Sequence, residues 1–172
     1  MLNGGKTDVR AVVAHNANGN VGQVQEGGTA MLVFGNLMDQ FDGNGSGRDK
    51  TGLGCWTFMR FAGSYEVATY RVCGYNPTEN NKVESGTTYQ QNPRFYIDNQ
   101  KDLTCPRKRF VNDLIKHLET WREEGTRIVL FVDANGNIYD KALGKRLTII
   151  LGLNMKEVVG SFTRQKVGAT FF

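Results

Sequence analysis

A carboxylate and a carboxamide two residues apart, Asp133 and Asn135, follow directly on the apolar run Ile128 to Val132. Tyr75 closes another apolar stretch, just ahead of Asn76 and Pro77, and a basic trio, Arg107, Lys108 and Arg109, opens a segment with helical spacing. Asp133 can orient a water or hold a metal, Asn135 can donate to a phosphoryl oxygen, and Tyr75 can hydrogen-bond the same oxygen. The guanidinium groups of Arg107 and Arg109 match a phosphate in charge and shape. Together these are the groups that a metal-assisted phosphodiester hydrolysis needs. For a single phosphate to touch them all, the two strand ends must be neighbours, with the Asp133 carboxylate in reach of the Asn135 amide or the Tyr75 hydroxyl. The plain alternative is a strand running into a loop, in which Asp133 caps N–H groups of its own turn.

The elements that must position these groups follow from periodicity. Ile128 to Val132 carries no polar alternation, which predicts a strand covered on both faces in the middle of a sheet; Asn135, Gly136 and Asn137 then turn the chain. Arg10 to Ala14 and Thr29 to Phe34 predict two earlier strands, the second also buried. Cys55 to Phe61 and Val67 to Tyr75 predict a hairpin turning at Ala62-Gly63-Ser64, stopped by Pro77, which cannot continue a central ladder. Thr104 as N-cap, Pro106 in the first turn and Gly125 as C-cap bracket a helix. Its stripe of Phe110, Val111, Leu114, Ile115, Leu118 and Trp121 packs on the sheet. Arg107, three positions before Phe110, continues that stripe toward the sheet end. Basic residues in a first helical turn oppose the macrodipole, at about 0.3 to 1 kcal/mol each when exposed, so a bound phosphate would offset what Arg107, Lys108 and Arg109 cost there. Thr78 to Asn92 reads as a polar loop, and Leu143, Leu147, Ile150 and Leu151 mark a second amphipathic segment.

Other chemistries fail on spacing. A phosphate loop ending at Lys50 would need glycines where Asp49 and Asn44 stand. The calcium loop suggested by Asp133, Asn135 and Asn137 has Ile138 at its glycine position and Gly144 at its closing glutamate. Three cysteines without a CxxC pair signal neither zinc nor a complete disulfide framework. The formal charge of +4 is compatible with a polyanionic partner. No apolar run approaches the roughly 20 residues of a membrane helix, and Met1 to Arg10 lacks a signal-peptide core. One α/β domain spanning residues 1–172, with an intracellular setting, nuclear or cytoplasmic, is the expectation.

The order GYNP, then CPRKRFVNDLIKHLETW, then VDAN resembles the endonuclease/exonuclease/phosphatase superfamily, whose members carry a YxP motif and a later GDxN motif. The wording HNANGN, QEGGTAML, SGTTYQQ and TCPRKRF is similar to the versions in retrotransposon and reverse-transcriptase-linked reading frames, over roughly residues 10 to 172. The resemblance implies a layered α/β sandwich with a mixed sheet covered by helices. It also implies a nuclease-like phosphoesterase using Mg2+ or Mn2+, and a nucleic-acid partner, DNA before RNA. On it Tyr75 is the family tyrosine, Asp133 the aspartate that orients the attacking water, and Asn135 the asparagine that stabilises the transition state; Arg107 is a phosphate contact by position. The family's early metal-site Asn and Glu motifs and its closing Ser-Asp-His motif have no match. The expectation is therefore a partial domain, either an active endonuclease or an inactive copy that retains nucleic-acid affinity.

Overall fold

The computed structural model describes residues 8–16, 28–72, 95–99 and 101–135. Among them are six strands: β1 (Val9–His15), β2 (Gly28–Phe34), β3 (Phe41–Arg48), β4 (Trp56–Phe61), β5 (Ser64–Tyr70) and β6 (Arg127–Asp133). The long helix α1 is Pro106–Glu123. Tyr75, Pro77, the loop at 78–92 and the segment holding Leu143 to Leu151 lie outside the described residues.

β4 and β5 form the expected hairpin, with Phe61 paired to Ser64 across Ala62-Gly63. β3 adds to one side of it, antiparallel, and β6 to the other, parallel, so the sheet runs β3-β4-β5-β6 and is mixed. Register sets two faces. Trp56, Phe58, Tyr65, Val67, Ile128, Leu130 and Val132 fall on one, and there they pack with Phe110, Val111, Leu114, Leu118 and Trp121 of α1. The helix stripe thus docks as its spacing predicts, with the Trp121 ring stacked on Tyr65 at 4.2 Å between centroids. On the other face Met59 and Phe61 meet Val33, with Val12 and Met31 beside them, so the β1–β2 hairpin forms a third layer.

Four findings correct or extend the expectations. First, β6 is the last strand of the sheet among the described residues, not its middle. It is covered on one face only: Val129 is 45 % exposed and Phe131 41 %. The β1–β2 layer lies against β3, β4 and β5, and no substantial contact with β6 is made. Second, β2 is likewise one-sided, since Leu32 and Phe34 are 66 % and 63 % exposed while Val33 is buried. Third, the glycine-rich stretch after Gln40 is strand β3, with a register shift between Asp42 and Gly47. Asp42 holds that bulge by accepting the Asn44 and Gly45 N–H groups on Oδ1. A Cβ at Gly45 would overlap the Arg60 side chain across the pair, so the glycine there is what lets the two strands approach.

The fourth correction concerns the start of the helix. Its N-cap is Cys105, extended at φ −50° and ψ 129° and without a side-chain cap bond, and Pro106 is the first helical residue. Proline keeps its preceding residue out of the helical region, which moves the boundary past Thr104. Thr104 instead donates its N–H to Asp102 Oδ1. At the far end the Gly125 N–H reaches Arg122 O and the Thr126 N–H reaches Trp121 O. With Gly125 at φ +71°, this is a Schellman closure, which only a residue tolerant of left-handed backbone completes without strain.

Candidate functional site at the ends of β5 and β6

Because β5 and β6 are parallel and in register, Tyr70 lies beside Asp133 and both strands end at the same level. The next residue, Arg71, donates its N–H to Asp133 O at 2.9 Å, extending the ladder by one bond. Asn135 then adopts φ +41°, a conformation that asparagine accepts more readily than most side-chain-bearing residues. This reversal swings its carboxamide back over β5, where Nδ2 donates to Arg71 O at 2.7 Å. Across the gap Arg107 reaches from the first turn of α1: Nη1 donates to Val72 O at 2.6 Å and Nη2 to Asn135 O at 3.1 Å. One guanidinium therefore bridges the ends of two strands that are remote in sequence.

Asp133 is exposed, and its Oδ1 accepts the Asn135 main-chain N–H at 3.2 Å. The carboxylate thus caps its own turn, while the Asn135 side-chain amide is taken by Arg71 O. Asp133, Asn135 and Arg107 are brought together, and Arg107 points to the sheet end as its place on the helix stripe predicts. Tyr75 lies outside the described residues. Arg109 is engaged elsewhere: Nε meets Asp113 and Nη1 meets Asp102, each at 3.0 Å, and its guanidinium sits 5.7 Å from the Tyr96 ring centroid. Helical residues two apart do not share a face, so Arg107 and Arg109 diverge, and a phosphate contact by Arg109 requires it to leave both carboxylates.

The residue that the sequence reading misses is Arg71. It is half-buried, its Nε has no hydrogen-bond partner, and its pKa is brought down to about 10, first by burial and then by the like charge of Arg107. Its signal in the sequence is a lone arginine within the mostly apolar and aromatic stretch Val67 to Tyr75, a few residues ahead of Asn76 and Pro77.

For a divalent ion the donor set is thin. Asp133 is the one acidic side chain that the described contacts bring to this cluster, and among the described residues no three His, Cys, Asp or Glu side chains converge. Magnesium is ordinarily held by one or two carboxylates together with substrate phosphates, completed by water. The described residues do not by themselves form a resident Mg2+ or Mn2+ site. The other stretch that invites a ligand reading, Asp49 to Cys55, is closed on itself, since Asp49 accepts the Gly52 and Cys55 N–H groups.

The fold and this cluster define a mixed α/β protein with a polar, arginine-bridged junction at the open end of a parallel strand pair. No protein-family model, curated protein or solved structure matches the chain. Among the described residues, no helix is long and apolar enough to cross a membrane.

Proposed function

We propose that this chain is a nucleic-acid-directed phosphodiesterase domain of the endonuclease/exonuclease/phosphatase type, of the variety found in retroelements. The observation that carries this reading is the junction itself: Asp133, Asn135 and Arg107 share the paired ends of β5 and β6, in the chain order that the sequence resemblance implies. A helix layer, a mixed sheet and a further β layer are compatible with the sandwich of that superfamily. In this reading Asp133, exposed at the strand end, orients the attacking water through the carboxylate oxygen not used in its turn. Asn135, its carboxamide fixed by Arg71 O, offers its remaining N–H to the phosphoryl group. Arg107 keeps the two strand ends together and contributes positive charge. Dependence on Mg2+ or Mn2+ rests on the resemblance alone.

The test is plasmid nicking by the purified chain with magnesium or manganese. The wild type should nick, and Asp133→Ala should abolish it; equal nicking by both proteins would refute the assignment. A second reading, nucleic-acid binding without turnover, is favoured by one observation, the single carboxylate at the junction turned into its own turn. DNA retention by a wild-type chain that does not nick with either metal would select it.

A further inference from the structure

We propose that Arg71 and Arg107 together seat a phosphodiester oxyanion at the paired ends of β5 and β6, independently of any divalent metal. The proposal rests on the phosphodiester reading for the identity of the anion and needs no turnover. Both main-chain groups of Arg71 are fixed, its N–H on Asp133 O and its carbonyl by Asn135 Nδ2. Its side chain nonetheless keeps a buried Nε–H without a hydrogen-bond partner, whereas buried polar groups are as a rule hydrogen-bonded. Arg107 is held alongside by Val72 O and Asn135 O, which use only part of its guanidinium donors.

Burial lowers the pKa of Arg71, and Arg107 is close enough to lower it further. Among the described residues neither arginine pairs with a carboxylate: the ion pairs there are those of Arg60 with Asp42 and of Arg109 with Asp102 and Asp113. Asp133, the acid at the end of β6, hydrogen-bonds its own turn instead. Two guanidinium groups that pair with no carboxylate among the described residues, one of them with an Nε–H still to donate, suit one tetrahedral oxyanion, whose oxygens match forked N–H donors. A continuous strand of such anions is the partner that the net charge of +4 also accommodates.

The experiment is fluorescence anisotropy of a fluorescein-labelled DNA duplex titrated with the full chain in EDTA, over a series of salt concentrations, with inorganic phosphate as competitor. Arg71→Gln should weaken binding about tenfold or more, as loss of a charge-assisted contact does, and should flatten the log–log salt slope by about one. Lys116→Gln, on the exposed side of α1, removes the same charge but should shift affinity by less than about twofold. Arg71→Lys keeps the charge without the fork and should fall between, which also covers the case in which Arg71→Gln does not fold. Folded Arg71 variants with wild-type affinity and slope overturn the proposal, as does a wild type that fails to bind in EDTA. Binding in EDTA that is lost in Arg71→Gln, from a chain that never nicks DNA, refutes the hydrolytic reading and keeps this one. Nicking by a chain whose Arg71 variants bind normally does the reverse.

Discussion

Arg107→Ala removes the side chain that, among the described residues, hydrogen-bonds both Val72 O and Asn135 O, at 2.6 and 3.1 Å. A hydrogen bond from a charged donor contributes about 1.5 to 3 kcal/mol net. Both contacts are partly buried, so water can replace some of what is lost, and the pair should be worth about 2 to 4 kcal/mol. The like-charge strain with Arg71 is relieved by the same change, which places the expected loss toward the lower end. Urea denaturation followed by fluorescence of Trp56 and Trp121, both buried, reports the change directly. The midpoint should fall while the slope stays near that of the wild type, because the surface exposed on unfolding barely changes. Arg107→Lys offers a single ammonium in place of a fork and should recover about half. Hydrogen exchange should quicken at Asn135 and Arg71 before it quickens in the β4–β5 hairpin. A destabilisation below about 0.5 kcal/mol, the scale of ordinary surface substitutions, would show that the bridge is not what joins the strand ends.

Two further outcomes test the frame around the site. Leu114, fully buried between α1 and the sheet, should cost about 2 to 5 kcal/mol when changed to alanine, measured by the same urea titration. His117 Nδ1 accepts the Trp56 indole N–H at 3.2 Å, and burial first, then Lys50, holds its pKa below the ordinary imidazole value. The folded state therefore binds fewer protons than the unfolded one. The stability from neutral His117 is complete above about pH 6.5 and is lost as pH falls through the folded value. Asp49, raised by burial, acts in the opposite sense at lower pH, so the quantity to measure is the difference between wild type and His117→Phe. That difference should change with pH below about 6.5 and level off above it.

The helix was legible because its stripe is unbroken and a single sheet face receives it, and the β4–β5 hairpin because a short turn of small residues separates two strand-like segments, although Ser64, read as part of that turn, already belongs to β5. What the sequence could not convey was the far side of each strand. Ile128 to Val132 and Thr29 to Phe34 are apolar throughout, yet Val129, Phe131, Leu32 and Phe34 are exposed. An uninterrupted apolar run states what a strand could bury, whereas the neighbouring layer decides what it does. β3 was hidden for the converse reason: Asp-Gly-Asn-Gly-Ser-Gly has the composition of a loop, and its pairing is imposed by β4, whose Arg60 and Phe58 side chains fill the space above Gly45 and Gly47. At the site, strand ends and a helix stripe sufficed to gather Asp133, Asn135 and Arg107. The divergence of Arg109 follows from helical geometry alone, while the part played by Arg71 emerges only when its neighbours are seen.

The parallel pairing of β5 with β6 also bears on when the junction forms. The Asn135 side chain and the Arg71 carbonyl that it meets are 64 residues apart in the chain. Closing a flexible loop of that length costs about 4 kcal/mol in chain entropy, beyond a constant term, whereas the β4–β5 hairpin closes through two residues. The hairpin can assemble early and locally, but the junction must wait until α1 has crossed the sheet and delivered β6. Any fluctuation that lifts β6 dismantles the arginine bridge, the asparagine contact and the Asp133 turn together. The site therefore exists only in molecules whose crossover is complete, and during synthesis a nascent chain carries no working copy of it until Asn135 has emerged.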